Sequence, residues 1–138
     1  MAPEHATAMI LIIDDTPDIL KMLQRHLEYW GYHVLTASRG EEGLALADRE
    51  QPDVILLDML MPTIKGRQVC ARLKRNPRTA DIPVIFLTAL NLADHIKAGL
   101  DAGAEDYLIK PFRAEELQER IRVCLFRHGK QQPIRTES

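Results

Sequence analysis

The 138-residue sequence contains only two cysteines, Cys70 and Cys124, and they lie far apart in the chain. They form no Cys-x-x-Cys pair, and we find no cluster of cysteines and histidines with the spacing of a zinc site. We therefore predict no zinc site, interpret both cysteines as small apolar side chains in helices, and give the five histidines no role. Free cysteines fit a reducing compartment.

Neither sign of charge predominates, since 18 lysines and arginines face 20 acidic residues. A basic face and a helix-turn-helix are both missing, so we predict that the chain does not bind DNA directly. No apolar run approaches the roughly 20 residues of a membrane span, and the N-terminus does not have the pattern of a signal peptide. We therefore predict a cytoplasmic protein that does not bind membranes.

What is present is a fivefold alternation of short apolar runs and amphipathic segments. The predicted strands are 9–13, 32–37, 54–57, 84–87 and 107–109. The predicted helices are 17–30, 41–50, 65–75, 92–100 and 114–126, with Gly31 ending the first and Ser38 as the N-cap of the second. Continuously apolar strands predict a parallel sheet that is covered by helices on both faces.

Right-handed crossovers leave few topologies for five such units, and the commonest is the order 2-1-3-4-5. The predicted fold class is therefore α/β, a flavodoxin-like (βα)5 doubly wound parallel sheet. We assign residues 9–128 to one domain, residues 1–8 to a flexible N-terminus, and residues 129–138 to a tail or linker.

Polar residues follow four of the five predicted strands. They are Asp14 and Asp15 after the first strand, Asp58 after the third, Thr88 after the fourth and Lys110 after the fifth. Ligands of open α/β sheets bind outside the carboxyl ends of the strands, where the strand order reverses. We therefore expect three carboxylates, a hydroxyl and an ammonium to converge in one shallow pocket.

Three close carboxylates repel one another, and a divalent cation relieves that repulsion. Oxygen ligands with open positions suit Mg²⁺, with Mn²⁺ as a possible substitute. The predicted ligands are Asp15, Asp58 and the backbone carbonyl of Leu60, with Asp14 as a further ligand, directly or through water.

Such a site is suited to phosphoryl transfer, where catalysis consists mainly of positioning and electrostatic stabilisation. Mg²⁺ would hold one phosphoryl oxygen, the Thr88 hydroxyl and the Ala89 N–H a second, and Lys110 the third. Asp58 would then be the nucleophile and form an acyl phosphate. Taken singly, each residue has a plainer interpretation as a helix cap, a turn residue or a solvated charge. Their shared place at strand ends favours the site.

Four segments together resemble the receiver domain of two-component response regulators. They are ILIIDD (10–15), VILLDMLMP (54–62), IPVIFLTA (82–89) and GAEDYLIKPF (103–112), and the resemblance covers about residues 9–127. It implies that Asp58 is the phosphoacceptor, that Asp14 and Asp15 bind the metal, and that Thr88 and Lys110 contact the phosphoryl group. It further implies that Tyr107 is the aromatic switch residue and that the peptide bond Lys110–Pro111 is cis.

The resemblance also implies partners. The phosphoryl donor would be a sensor histidine kinase or a histidine phosphotransfer protein. The signal would leave through the face formed by the fourth helix, fifth strand and fifth helix, toward an unknown downstream protein. We expect self-phosphorylation and autodephosphorylation chemistry only, not a turnover enzyme. Leu60 and Leu90, both apolar, lie two residues after Asp58 and Thr88 and imply slow loss of the phosphoryl group.

The same face forms a symmetric dimer in one large subfamily of these regulators. The spacing of Glu105, Asp106, Arg120 and Arg122 matches two of the ion pairs of that dimer, and a homodimer is therefore possible. Ile96 departs from the pattern, because a basic residue would be expected there.

Three other functions are compared with this one. A dehalogenase-type hydrolase would need a second aspartate at the position of Leu60, and a flavin carrier would have its phosphate repelled by Asp14 and Asp15. No nucleotide-binding glycine loop is present. The remaining alternative is a constitutive protein-interaction module of the same fold that is not phosphorylated.

Overall fold

The computed structural model describes residues 7–61, 64–89 and 93–130. Its strands are β1 (Met9–Ile13), β2 (His33–Ala37), β3 (Val54–Asp58), β4 (Val84–Thr88) and β5 (Asp106–Ile109). Its helices are α1 (Pro17–Tyr29), α2 (Gly40–Glu50), α3 (Gly66–Arg75), α4 (Ala93–Asp101) and α5 (Ala114–Arg127). Each strand is followed by one helix, as the alternating pattern predicts.

The five strands form one parallel sheet in the order β2-β1-β3-β4-β5, so the predicted flavodoxin-like topology is confirmed. In the register of the sheet, Asp58 pairs with Leu87, and Thr88 pairs with Ile109. Asp58 and Thr88 are thus the last residues of their strands, so β3 and β4 each extend one residue further than predicted. This register places the polar ends of β1, β3, β4 and β5 along one edge of the sheet.

Alternate residues of each strand enter two separate apolar cores, one on each face of the sheet. Ile10 and Ile12 lie in the core formed with α1 and α5, whereas Leu11 and Ile13 lie in the core formed with α2 and α3. Because both faces are covered, the central strands are apolar throughout and do not alternate. The two apolar cores therefore fix the position of the sheet, including the edge that carries the polar residues.

One of the two predicted helix-end residues needs correction. Ser38 is not the N-cap of α2, because the N-cap is Arg39 and makes no side-chain capping bond. Instead, the carboxylate of Glu42, in the first turn of α2, accepts a hydrogen bond of 3.1 Å from the backbone N–H of Ser38, which precedes the N-cap. Gly31 ends α1 as predicted, with a φ of 100°.

The chain ends are described only in part. Residues 1–6 and 131–138, on which the predicted flexible N-terminus and tail mostly fall, lie outside the described residues. Ala8 belongs to the predicted flexible segment, yet it is buried, and its carbonyl accepts a hydrogen bond from the N–H of His33. Among the helices that the structure describes, none has the length and apolarity to cross a bilayer.

Candidate functional site

The carboxyl edge of the sheet brings three aspartates together between β1 and β3. Asp14, Asp15 and Asp58 each contribute a carboxylate oxygen, and these three oxygens lie within 4.8 Å of one another. Asp14 and Asp58 are buried, whereas Asp15 is half-buried and reaches solvent. The sequence prediction that these residues converge is therefore met by the geometry.

Asp14 is held rigidly by its neighbours. Its backbone N–H donates to the carbonyl of Ala37, and its Oδ1 accepts the N–H of Thr16 at 2.9 Å. Its Oδ2 accepts a hydrogen bond of 3.2 Å from the Lys110 ammonium. The plainer interpretation of Asp14 as a helix cap is thus only half right, since one oxygen orders the start of α1 and the other faces the pocket.

Asp58 ends β3 and has a perturbed pKa. Its Oδ1 accepts the backbone N–H of Leu60 at 3.2 Å and lies 3.7 Å from the Lys110 ammonium. Burial and the neighbouring Asp14 carboxylate raise the pKa of Asp58 to about 6, although Lys110 opposes the shift. A buried acid with a raised pKa in a pocket of like charges is characteristic of a functional site.

Lys110 follows β5 and approaches the aspartates from across β4. Its backbone N–H donates to the carbonyl of Thr88 at 2.7 Å, which fixes the ends of β4 and β5 together. The peptide bond Lys110–Pro111 is cis, as the resemblance implies. Thr88, which this backbone hydrogen bond joins to Lys110, is buried, and the next residue, Ala89, is exposed.

Gly66 is a further residue of the site that the sequence analysis missed. It is the first residue of α3, and its N–H donates to the carbonyl of Met59 at 3.0 Å. A Cβ at this position would lie 2.3 Å from the backbone oxygen of Asp58 and 2.6 Å from the Cα of Met59. Only glycine lets α3 pack this closely against the segment that carries Asp58.

Leu60 and Tyr107 are further predicted residues that the structure describes. Leu60 has an exposed fraction of 45%, so its side chain faces solvent while its N–H contacts Asp58. Tyr107 is half-buried and packs against the core formed with α2 and α3. Its role as a switch residue stays a prediction, and Leu90 lies outside the described residues.

Glu105, Asp106 and Arg120, which belong to the charged set that suggested a dimer, contact charged partners within the chain. Arg120 donates to the Asp106 carboxylate at 2.9 Å and to the carbonyl of Tyr107 at 2.7 Å. Glu105 contacts Arg127, the last residue of α5, and His128, the C-cap residue of that helix. Ion pairs across a dimer would therefore have to replace these internal contacts, and the predicted homodimer stays a prediction.

Similarity to curated proteins extends over most of the chain. The chain is 50% identical over 118 residues to the DNA-binding dual master transcriptional regulator RpaA of Synechocystis, and the match covers 86% of this chain and 49% of RpaA. The chain thus spans about half the length of this relative. This relative is named as a DNA-binding regulator. Our prediction of no direct DNA binding is therefore wrong. The charge balance of this chain describes only the half of such a regulator that the chain matches, and it carries no information on the other half.

Solved structures show the same fold. The chemotaxis protein CheY4 of Vibrio cholerae is 32% identical, with a TM-score of 0.84 over 87% of this chain and 100% of that one. The receiver domain of the sensor histidine kinase PA1611 from Pseudomonas aeruginosa is 30% identical, with a TM-score of 0.79 over 91% of this chain and 100% of that one. That structure holds a magnesium ion in its active-site cleft.

The family model for the response regulator receiver domain matches residues 10–122. This range includes the five strands, except Met9 at the start of β1, and every residue of the acidic pocket. The chain therefore belongs to the receiver domain family of two-component response regulators.

Proposed function

We propose that this receiver domain accepts a phosphoryl group on Asp58 in a reaction that depends on Mg²⁺. The observation that carries the proposal is the buried Asp58 carboxylate, gathered with Asp14 and Asp15 within 4.8 Å and approached by the Lys110 ammonium at 3.7 Å. Three acids and one ammonium leave a net negative pocket, which a cation would neutralise. The donor is a sensor histidine kinase or a histidine phosphotransfer protein.

The residues present fit a hard divalent cation. Asp15 and Asp58 supply carboxylate oxygens, the Leu60 carbonyl is a candidate third ligand, and Asp14 completes the acidic set, directly or through water. The half-exposed Asp15 leaves a route from solvent to the pocket. When bound, Mg²⁺ would supply positive charge to a phosphoryl oxygen, and Mn²⁺ could replace it.

The chain's own residues then perform the transfer. Since Asp58 Oδ1 accepts the Leu60 N–H, we assign the attack on phosphorus to Oδ2. The new O–P bond forms as the bond from phosphorus to the donor nitrogen breaks, and an acyl phosphate results. Lys110 pairs with one phosphoryl oxygen, and the Thr88 hydroxyl and Ala89 N–H donate to another. With a pKa of about 6, Asp58 is ionised and nucleophilic at neutral pH.

The added charge of about −2 would draw Thr88 toward the phosphoryl group. Lys110 and Thr88 share a backbone hydrogen bond of 2.7 Å, so movement at the end of β4 reaches β5 and Tyr107 directly. The face of α4, β5 and α5 then presents a second arrangement to a downstream protein, and the phosphoryl group acts by favouring that arrangement.

The predicted cytoplasmic location stays a prediction.

The experiment is phosphorylation of the purified chain with acetyl phosphate, with and without Mg²⁺, followed by intact mass. We expect one phosphoryl adduct that requires Mg²⁺ and is absent from the Asp58→Asn variant, while an Asp53→Asn control still forms it. Asp53 is suitable because it lies at the opposite edge of the sheet, immediately before β3. An adduct in Asp58→Asn would refute Asp58 as the phosphoacceptor, whereas no adduct in the unaltered chain with any donor would leave the constitutive interaction module as the better function.

The lifetime of the phosphoryl group gives a second prediction. Leu60 is exposed beside Asp58 and offers the attacking water no hydrogen bond. We expect Leu60→Asn to release phosphate about tenfold faster, because one hydrogen bond of about 1–1.5 kcal/mol to the water in the transition state corresponds to that factor. Release of inorganic phosphate from the isolated phosphoprotein measures it. Leu60→Ala is the control for steric opening, and equal rates for all three proteins would refute the prediction.

A further inference from the structure

A second group of metal-ligating side chains lies away from the acidic pocket. Glu105, Cys124 and His128 each offer one ligand atom, and these three atoms lie within 4.8 Å of one another. Glu105 immediately precedes β5, whereas Lys110 follows it, so this group lies at the opposite edge of the sheet from Asp58. Nothing in the proposed phosphoryl transfer uses these residues.

Helix geometry explains how two of them meet. Cys124 lies in the last turn of α5, and His128 is the C-cap residue four positions later. Side chains four residues apart lie on the same helical face. Glu105 is brought to them by the sheet, because its backbone N–H donates to the carbonyl of Val84 at the start of β4. Spacing alone could not reveal a third ligand that is remote in sequence.

Glu105 is the acidic member of this group, and its two carboxylate oxygens have different contacts. Its Oε1 lies 2.6 Å from His128 Nε2. Its Oε2 is buried, and within the described part of the chain it is the one buried side-chain nitrogen or oxygen that lacks a hydrogen-bond partner. The nearest cation to this oxygen is the Arg127 guanidinium at 3.6 Å, which is too long for a hydrogen bond. Arg127 is therefore the charge partner of this oxygen, and a cation held by the group would give the oxygen a direct contact that the guanidinium does not.

We propose that Glu105, Cys124 and His128 form a binding site for Zn²⁺ or a similar late transition-metal cation. Thiolate, imidazole and carboxylate are the three side-chain ligands that zinc uses, and three protein ligands leave the fourth position to water. A thiolate ligand selects against Mg²⁺ and Ca²⁺, so this site and the acidic pocket differ in the cations they take.

Binding must displace a proton from the thiol. On binding, the sulfur–metal bond replaces the S–H bond and the proton passes to solvent. The neighbouring cations are Arg127 and Lys74, and the Lys74 ammonium is engaged by the carbonyls of Ala80 and Ile82.

The site would tie the start of β5 to the end of α5. These two elements belong to the face that we propose to carry the phosphorylation signal, so metal occupancy would restrain that face independently of Asp58. The bound cation would also hold His128, where the chain leaves α5.

The test is a titration of the reduced chain with Co²⁺, in excess Mg²⁺ that occupies the acidic pocket. We expect a thiolate-to-cobalt charge-transfer absorption that saturates at one Co²⁺ per chain and disappears when Zn²⁺ is added. Cys124→Ser abolishes it, whereas Cys70→Ser retains it, because Cys70 is equally buried but lies outside the group. His128→Gln binds Co²⁺ at least about 100-fold more weakly, because loss of even an outer-shell partner costs about 10–100-fold.

His128 is exposed, so its variant is informative even if Cys124→Ser folds poorly. Zn²⁺ should also raise the thermal midpoint of the unaltered chain but not that of His128→Gln. The proposal is overturned by the lack of a thiolate absorption at excess Co²⁺, by its persistence in Cys124→Ser, or by unchanged affinity in His128→Gln. None of these results depends on whether Asp58 accepts a phosphoryl group.

Discussion

Gly66→Ala is expected to lower the free energy of unfolding by about 3 kcal/mol or more, the upper end of the cost of overpacking. The added Cβ would lie 2.3 Å from the Asp58 carbonyl oxygen and 2.6 Å from the Met59 Cα. Both are backbone atoms at the end of β3, so they cannot rotate away. The strand end or the first turn of α3 must move instead, and the Asp58 carboxylate moves with it.

Urea denaturation measures the loss, and Gly43→Ala is the matched control. A Cβ at Gly43, near the start of α2, would meet the side chain of Ile13 at 2.4 Å, and a side chain can change rotamer. Alanine in a helix also regains about 0.5–1 kcal/mol relative to glycine. We expect the Gly43 variant to lose less stability and to keep the phosphorylation reaction. A Gly66 variant as stable as the Gly43 variant would contradict the proposed close approach.

Asp58→Asn is expected to stabilise the metal-free protein by about 3 kcal/mol at about pH 8 and by little at about pH 4. The folded-state pKa of Asp58 is raised from 3.8 to about 6. The folded protein therefore binds the proton more tightly than the unfolded chain. The stability contributed by this proton is complete below pH 3.8 and is lost as the pH rises through 6. Asparagine bears no charge and avoids the loss.

The measurement is urea denaturation of both proteins in EDTA across this pH range, taken as the difference between them. Asp48→Asn is the opposite control, because hydrogen bonds from Asn76 and Arg78 lower the pKa of the exposed Asp48. That variant should be slightly destabilised at neutral pH. A difference between Asp58→Asn and the unaltered protein that does not change with pH would show that Asp58 is not strained by burial and by Asp14.

The sheet and the acidic pocket could be predicted because they depend on strand ends. Apolar runs of three to six residues define the predicted strands, and parallel pairing then places Asp14, Asp58 and Lys110 at one edge. The partner of Lys110 could not be predicted, because a distance of 3.2 Å to Asp14 rather than 3.7 Å to Asp58 depends on side-chain packing across β4.

Other features were missed for related reasons. Gly66 carries no signal except its place at the start of a helix, and its role appears only once the backbone of Asp58 lies against it. The group of Glu105, Cys124 and His128 combines a residue before β5 with two residues at the end of α5. The charges near α5 have the spacing of a dimer interface, but Arg120 and Asp106 pair within one chain. Sequence spacing does not distinguish internal pairing from pairing between chains.

The contact between Lys110 and Asp14 also bears on the order in which the protein folds. It joins residues 96 positions apart, and β3 and β4 lie between their strands in the sheet. Contacts of such long sequence separation close the largest loops and form after local pairing. The aspartates can gather once β1 and β3 pair, but the ammonium arrives only with β5, the last strand to be synthesised. The reactive pocket is therefore complete only when nearly the whole domain has folded.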